Sequence, residues 1–465
     1  MSGDLRADSA QGRWVLAAAV LGSGMAMLDG TIVNVALPRI GLGLGASMAD
    51  LQWVVNAYML TLSSLILVGG SLGDRFGRRR IFMVGVTWFA AASGLCALAQ
   101  SPVQLVLARL VQGIGAALLT PGSLAMIQGS FRTADRGKVI GRWAGLGGVA
   151  GAVGPLLGGW LIQVTNWRWI FAINVPVAVF VLLLCARHVP ESRDPDASPH
   201  FDLSGATLGA LGLAGLTYGL IEPSARWTVL VGVLGLAGFV AVEARSTHPL
   251  VRLSLFHSRV FSVANAMTLL VYGALGAMIF FVVLQLQVTA GYGPLTAGLA
   301  TVPITLLMLV GSGRAGAVAQ RIGPRLPMSV GPIVCGLGVL LLRGLDGHSG
   351  YVTGVLPGMA VFALGLVALV APLTSSVLAA APDRYAGVAS GVNNAVARSG
   401  SLLAVAALPA LVGLSGADYR NPTELTSSYQ RALLVCAVLL IAGGVVSFVG
   451  LTSRVPTVDE AELVP

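Results

Sequence analysis

Fourteen stretches of about twenty mainly apolar residues, separated by short polar connections, leave this chain very few folds to choose from. They run roughly over 14–37, 53–72, 81–100, 103–125, 141–162, 168–186, 204–222, 226–243, 261–287, 296–318, 327–345, 351–377, 386–413 and 430–452. A helix needs about 20 apolar residues to cross a ~30 Å hydrocarbon core. In lipid, only helices and closed barrels satisfy their own backbone hydrogen bonds. Barrel strands are shorter and alternate in polarity, so continuous runs of this length exclude a barrel. The expected fold is therefore an all-α polytopic membrane protein with fourteen spans. Composition agrees: 55% of the 465 residues are hydrophobic and 10% charged, against about 25% charged in soluble domains. The first run is too long for a signal-peptide core, and more spans follow at once.

The net charge of +9 is unevenly spread. With both termini placed inside, the inner connections carry nineteen basic residues, among them Arg75, Arg78, Arg79, Arg80, Arg132, Arg136, Lys138 and Arg142. The outer side carries six (Arg39, Arg168, Arg226, Arg343, Arg420, Arg431), and Arg109, Arg314 and Arg398 fall within spans. This asymmetry is the positive-inside pattern and supports an even number of spans in a cytoplasmic membrane. The basic balance therefore implies no nucleic-acid partner. No Gly-x-x-x-x-Gly-Lys-Ser/Thr loop is present to cradle a nucleotide, which argues against an ATP-driven pump. Cys96, Cys185, Cys335 and Cys436 lie within spans and read as small core residues. All five histidines fall in connections, and no grouped set of residues suits catalysis or a metal ion, so neither an enzyme nor a metal cofactor is expected.

A weak repeat divides the chain. Gly70-Ser71-Leu72-Gly73-Asp74-Arg75-Phe76-Gly77-Arg78 follows the second span, and Gly316-Ala317-Val318-Ala319-Gln320-Arg321-Ile322-Gly323 follows the tenth, with Gln320 in place of the acid. Parallel repeats of this kind describe transporters built from two rocking bundles. The expected organisation is a six-helix bundle over 14–186, a linker over 187–260 holding two extra spans (about 204–243), and a second six-helix bundle over 261–452. The polar stretch Arg187 to Asp202, broken by Pro190, Pro195 and Pro199, reads as a solvated connection.

Asp29 is the acid placed well inside a span. An ionisable residue at that depth costs about 2.5–3.5 kcal/mol on insertion scales. It reads either as a proton carrier or as a carboxylate that pairs and never titrates. Arg109, about a third of the way into the fourth span, cannot deprotonate and requires a counter-charge or polar surroundings, with Asp29 the obvious partner. Gln112 and Gly113 share its helix face. Gly147, Gly151, Gly154 and Gly158 form one stripe in the fifth span, where small residues let helices approach closely. Pro155 beside the stripe favours a kink. Asp74 and Arg75 close the second span, with Asp74 a candidate to latch one conformation while Arg78 to Arg80 hold the loop inside. Asn34, Asn56, Gln112 and Gln285 are candidates to line a substrate cavity. Arg314 and Arg398 are expected near helix ends, where long side chains snorkel to the interface.

These elements together resemble the 14-helix drug:proton antiporter branch of the major facilitator superfamily. The run Leu28 to Pro38 is similar to that branch's first-helix signature, and Gly70 to Arg80 to the superfamily's loop between helices 2 and 3. Arg109 to Ala116 resembles the motif with an embedded arginine. Gly154-Pro155-Leu156-Leu157-Gly158-Gly159 resembles the antiporter motif, with Trp167 to Phe171 and Asn174-Val175-Pro176 also typical. The resemblance implies that Arg109 tunes the protonation of Asp29 and that the antiporter motif seals the halves against each other. It implies export of small amphipathic organic compounds, drugs or antibiotics, driven by a proton gradient with no cofactor, by a chain expected to act as a monomer. A proton-coupled metabolite or nutrient symporter of the same fold is the alternative. Helices 9–14 carry no embedded acid, which weakens a dicationic substrate.

The topology is open to direct test. Reporter fusions after Arg80, Lys138, Asp194, His257, Arg325 and Arg384 should report the cytoplasm, and a fusion near Thr423 the outside. An inside signal at Thr423 with an outside signal at Asp194 breaks the fourteen-span arrangement.

Overall fold

The computed structural model describes residues 5–193, 202–382 and 385–452, with Ala152 described by its backbone alone. Residues 194–201 of the linker, with Pro195 and Pro199, and the positions Arg384 and Arg454 lie outside the described residues. Fourteen long helices are found among those described, and no strand. They are α1 (Ala10–Leu44), α2 (Met48–Phe76), α3 (Arg78–Leu98), α4 (Pro102–Ser130), α5 (Thr133–Val164), α6 (Trp169–His188), α7 (Leu203–Ile221) and α8 (Trp227–Glu243). After them come α9 (Arg259–Leu284), α10 (Pro294–Ile322), α11 (Arg325–Leu342), α12 (Tyr351–Ala379), α13 (Ala386–Leu411) and α14 (Pro422–Gly450). Thirteen are long and apolar enough to span a membrane, and α8, with 17 residues, is the short one. Each coincides with one of the fourteen apolar runs. Several helices, among them α2, α4 and α9, begin before those runs because their first residues are polar but capped. Ser47 and Asp50 form a capping box on α2, and Ser101 and Ser258 cap α4 and α9.

The described residues fall into two compact units. The first runs to Gly215 and includes Leu230–Leu250; the second takes Leu216–Val229 and continues from Val251. The boundary divides the α7–α8 hairpin between the units, rather than setting the hairpin apart with the linker.

Within each unit the same pairs of helices pack. In the first, α2 and α3 both lie on α4, α1 lies on α5, and α6 lies on α1 and α3. In the second, α10 and α11 lie on α12, α9 on α13, and α14 on α9 and α11. The faint sequence repeat is thus a repeat of packing. Its turn is also preserved where its acid is not. Gly77 and Gly323 hold the same place before α3 and α11, with φ of 111° and 80°. That region suits glycine. Crowding adds to the demand at Gly77, where a Cβ would lie 2.8 Å from the Glu191 carboxylate. Glu191 sits there because it caps α3, accepting from the backbone N–H groups of Arg79 at 3.1 Å and Arg80 at 3.2 Å.

Helices without a hydrophobic force between them pack by close approach. A Cβ on Gly69 of α2 would fall on the carbonyl of Ala117 in α4. Gly85 and Gly115 bring α3 and α4 together, and Gly331, Gly338 and Gly365 do so for α11 and α12. At the far end of α14, Arg259 and Arg325 donate to the carbonyls of Val449 and Phe448, each at 2.9 Å.

Gly69→Val should therefore separate α2 from α4 and lower folded yield and melting temperature, by about 1–3 kcal/mol or more for an overpacked contact. Gly94→Ala, where a Cβ meets nothing within 4 Å, is the control and should leave both unchanged. Equal melting temperatures for the two variants would remove the close approach from the account.

Candidate functional site

The polar centre of the first unit lies where α1, α2, α3, α4 and α6 converge. Asp29 and Arg109 are in ion-pair contact through Arg109 Nη1 and Asp29 Oδ2, with 0% and 1% of their side chains exposed. Arg109 also donates from Nη1 to Gln112 Oε1 at 2.7 Å and from Nε to the Val54 carbonyl at 3.0 Å. Its guanidinium carbon stands 4.2 Å from the centre of the Tyr58 ring and 5.7 Å from that of Phe171. Tyr58 is anchored in turn by its hydroxyl, which donates to the Ala26 carbonyl of α1 at 3.2 Å.

The other carboxylate oxygen is held by amides. Gln112 Nε2 donates to Asp29 Oδ1 at 2.8 Å and to Ser93 Oγ at 2.9 Å. Asn174 Nδ2 reaches the same two atoms at 3.5 and 3.4 Å. Local sequence explains the position of Asn174. Pro176 has no N–H and its ring crowds the Ala172 carbonyl four residues back, so α6 breaks at Ile173, between Trp169–Ala172 and Asn174–His188. Asn174 is the first residue of the second piece. Sequence reasoning gave no role to Asn174, Ser93 or Tyr58. Asn174 stood in a quoted motif and could have been noticed; nothing marks Ser93 or Tyr58 until the helices pack.

The glycine stripe of α5 faces α1, the helix that carries Asp29. A Cβ on Gly154 would fall on Thr31 Oγ1, one on Gly158 on Ile32, and one on Gly147 would lie 3.5 Å from Met27 Sδ. Gly151 has open space, and its carbonyl accepts from Thr31 Oγ1 at 3.3 Å. Gly159 is buried, and Pro155 lies inside the helix. Trp143 Nε1 adds a hydrogen bond to Ser23 Oγ of α1 at 3.0 Å.

The remaining expected site residues stand apart. Asp74 Oδ1 pairs with Arg78 Nε at 2.8 Å across the α2–α3 turn, a contact within one loop, and Arg75 lies over the Phe76 ring at 4.9 Å. Asn34, half-buried, donates to the Gly30 carbonyl of its own helix at 3.2 Å. Gln112 is a direct partner of Asp29 and Arg109 rather than a lining residue of an open cavity. Gln285 belongs to the second unit, where its amide ties a π-turn (Gln285–Thr289) to the Leu345 carbonyl at 2.9 Å and Thr426 Oγ1 at 3.0 Å. Asn56 is fully buried, and neither of its amide atoms has a hydrogen-bond partner among the described residues. Arg314 is exposed and donates to the Val310 carbonyl one turn back at 3.0 Å, away from the nearer helix end at Ile322. Arg398 corrects the expectation: it occupies the middle of α13, away from either helix end. The four cysteines are buried and free, and no group of metal-binding residues is found among the described residues.

Comparison with known proteins gives a consistent result. The Tetracenomycin C resistance and export protein of Streptomyces glaucescens is 35% identical over 407 residues, covering 85% of this chain and 75% of the relative. The Methylenomycin A resistance protein of Bacillus subtilis is 34% identical, covering 93% of this chain and 96% of the relative. Among solved structures, a bacterial homologue of the human lysosomal transporter Spinster superposes with a TM-score of 0.68 at 17% identity, covering 95% and 97% of the two chains. The D-xylose–proton symporter superposes at 0.66 and 14%, covering 95% and 98%. These two likenesses speak to the fold. The profile of the Major Facilitator Superfamily matches residues 19–405, and this multi-pass membrane protein therefore belongs to that superfamily of transporters.

Proposed function

We propose that this transporter is a proton-coupled antiporter that exports small amphipathic organic compounds across the cytoplasmic membrane, with both termini inside. Relatives named for antibiotic resistance and export support efflux. The observation that carries proton coupling is the burial of Asp29 in a set of donors contributed by α4 and α6. As a carboxylate it attracts Arg109, Gln112 and Asn174 together. Protonation removes the charge that holds them. Arg109 then retains the Gln112 amide oxygen, the Val54 carbonyl and the Tyr58 ring, so its own charge stays solvated by the protein while α1 is released. Loss of the ion pair thus loosens α1 from α4, and these neutral partners offset part of the cost of leaving the buried cation without its counter-charge. The α5 stripe lets α1 shift against a smooth, small-residue surface. The Asp74–Arg78 pair would latch one state. Inward proton flow at about 1.4 kcal/mol per pH unit, with about 2.3 kcal/mol per 100 mV of membrane potential, supplies the driving force. The segment 187–260 serves as the linker with its two extra spans.

Asp29→Asn keeps the size and hydrogen bonding but cannot cycle a proton. Export against a gradient into inside-out vesicles should fall to background at normal protein level, while downhill exchange survives. Concentrative export by this variant would remove Asp29 from the mechanism.

Arg109→Gln removes the counter-charge in contact with Asp29 and should shift the pH–activity profile of transport. Arg109→Lys should lie between, because an ammonium keeps the charge and loses the planar fork. An unmoved profile in Arg109→Gln with transport intact means that the two residues are not coupled.

A buried amide without partners destabilises the fold by about 1–3 kcal/mol. Asn56→Leu should raise the melting temperature and reduce transport if the amide serves the substrate or a second conformation. A stabilised variant with full transport assigns Asn56 no such role.

A further inference from the structure

The outer side of α3, in the first unit, carries a groove of about 630 Å³ with its charges gathered at one end. Arg79, Arg80 and Glu191 form that end, and the wall beyond it comes from α3 and from Val111 of α4. Glu191 is already engaged, since it caps α3 and stands 3.8 Å from Arg79 Nε. Arg79 is engaged too, with Nη1 donating to the Val189 carbonyl at 3.0 Å. The Arg80 side chain is exposed, and its guanidinium has no hydrogen bond or ion pair among the described residues. The groove therefore ends in one unmatched positive charge.

Beyond that end the wall is apolar. Val84, Trp88, Ala91 and Leu95 recur at spacings of four, three and four and are all exposed, so they share one open face of α3. The polar atoms on this wall are satisfied by the protein itself. Thr87 Oγ1 donates to the Met83 carbonyl at 2.9 Å, and Trp88 Nε1 to the Val111 carbonyl at 2.9 Å. From Met83 to Leu95 the wall runs about 18 Å at 1.5 Å per residue. One leaflet of a bilayer core is about 15 Å deep. The groove thus matches one leaflet in length, with a cation where the headgroups lie. A planar guanidinium fork suits a phosphate, and basic pockets of this kind select anionic headgroups. A soluble anion would leave the apolar wall uncovered, and a lipid without net charge would leave Arg80 unmatched. The backbone N–H groups that open α3 do not compete for the anion, because Glu191 already occupies them.

We propose that this groove binds one anionic phospholipid, its phosphate on the Arg80 guanidinium and one acyl chain along Val84, Trp88 and Leu95. The site needs only that α3 spans the bilayer, and it is independent of the export reading and of Asp29. Arg80 follows the Gly77 turn directly, so a bound headgroup ties the loop that carries the Asp74–Arg78 pair to the composition of the adjoining leaflet.

The test places the full chain in phosphatidylcholine nanodiscs and titrates in phosphatidylglycerol brominated on its acyl chains, which quenches tryptophan on contact. Brominated phosphatidylcholine, with no net charge, is the control. The Trp88 signal is the difference between the wild-type chain and Trp88→Phe. Phosphatidylglycerol should half-quench Trp88 at a mole fraction about tenfold below that of phosphatidylcholine, the scale of one charge-assisted contact. Arg80→Gln should bring the two lipids to near parity, and Arg80→Lys should keep part of the preference. Equal quenching by the two lipids in wild type reduces the groove to ordinary lipid contact and overturns the proposal. So does an unchanged preference in Arg80→Gln at an unchanged melting temperature. Loss of the preference on adding millimolar inorganic phosphate, at constant ionic strength, assigns Arg80 to a soluble anion and overturns it as well. Should Trp88→Phe not fold, the total tryptophan quenching by the two lipids, in wild type and in Arg80→Gln, decides the question.

Discussion

Burial of one ion pair organises the first unit. Asp29 and Arg109 are both withdrawn from water, and removing either would leave an uncompensated charge in a medium of low dielectric, the most destabilising change a core can suffer. The surroundings follow from that demand. Each carboxylate oxygen has its own donor, the guanidinium has a carbonyl, an amide oxygen and an aromatic face, and these come from α2, α4 and α6. Such a centre ties the bundle together as long as Asp29 is charged. The same geometry makes the bundle sensitive to a single proton, because the carboxylate's charge is what draws the amides and the guanidinium to one point.

Close helix packing is what brings those donors within reach. Tyr58 lies under Arg109 because α2 and α4 meet at Gly69 and Gly113, where side chains would keep the backbones apart. Ser93 reaches Gln112 because α3 and α4 meet at Gly85 and Gly115. Asn174 reaches Asp29 because Pro176 breaks α6 one residue earlier. Glycine and proline thus act on the charge centre through the backbone, without touching it.

The two halves share a packing scheme and differ in charge. The α3 and α11 turns keep a left-handed glycine, yet Gln320 stands where Asp74 pairs with Arg78. Helix α1 carries an acid at depth, and its counterpart α9 carries Asn265, Thr268 and Tyr272 in its place. Polar chemistry in the first half is ionic and closed. In the second, the side-chain hydrogen bonds between α9 and α13 join neutral groups, Asn265, Thr268 and Asn393.

The sequence by itself determined the class of fold, the number of long helices and the position of each, because hydrocarbon admits only long self-bonded helices and the apolar runs have no other use. It also singled out Asp29 and Arg109, since an ionisable residue in such a run is conspicuous, and it suggested their pairing. What it could not supply was depth and facing. Arg398 looked like a residue near a helix end until α13 was seen to extend evenly on both sides of it. Gln112 and Gln285 looked alike in sequence, yet one serves the ion pair and the other a π-turn. Ser93 and Tyr58 carry no signal in their own spans; they matter because of what the neighbouring helices place beside them. Hydrophobic length is a property of one segment and can be read along the chain, whereas a polar cluster belongs to several segments at once and exists only after they pack.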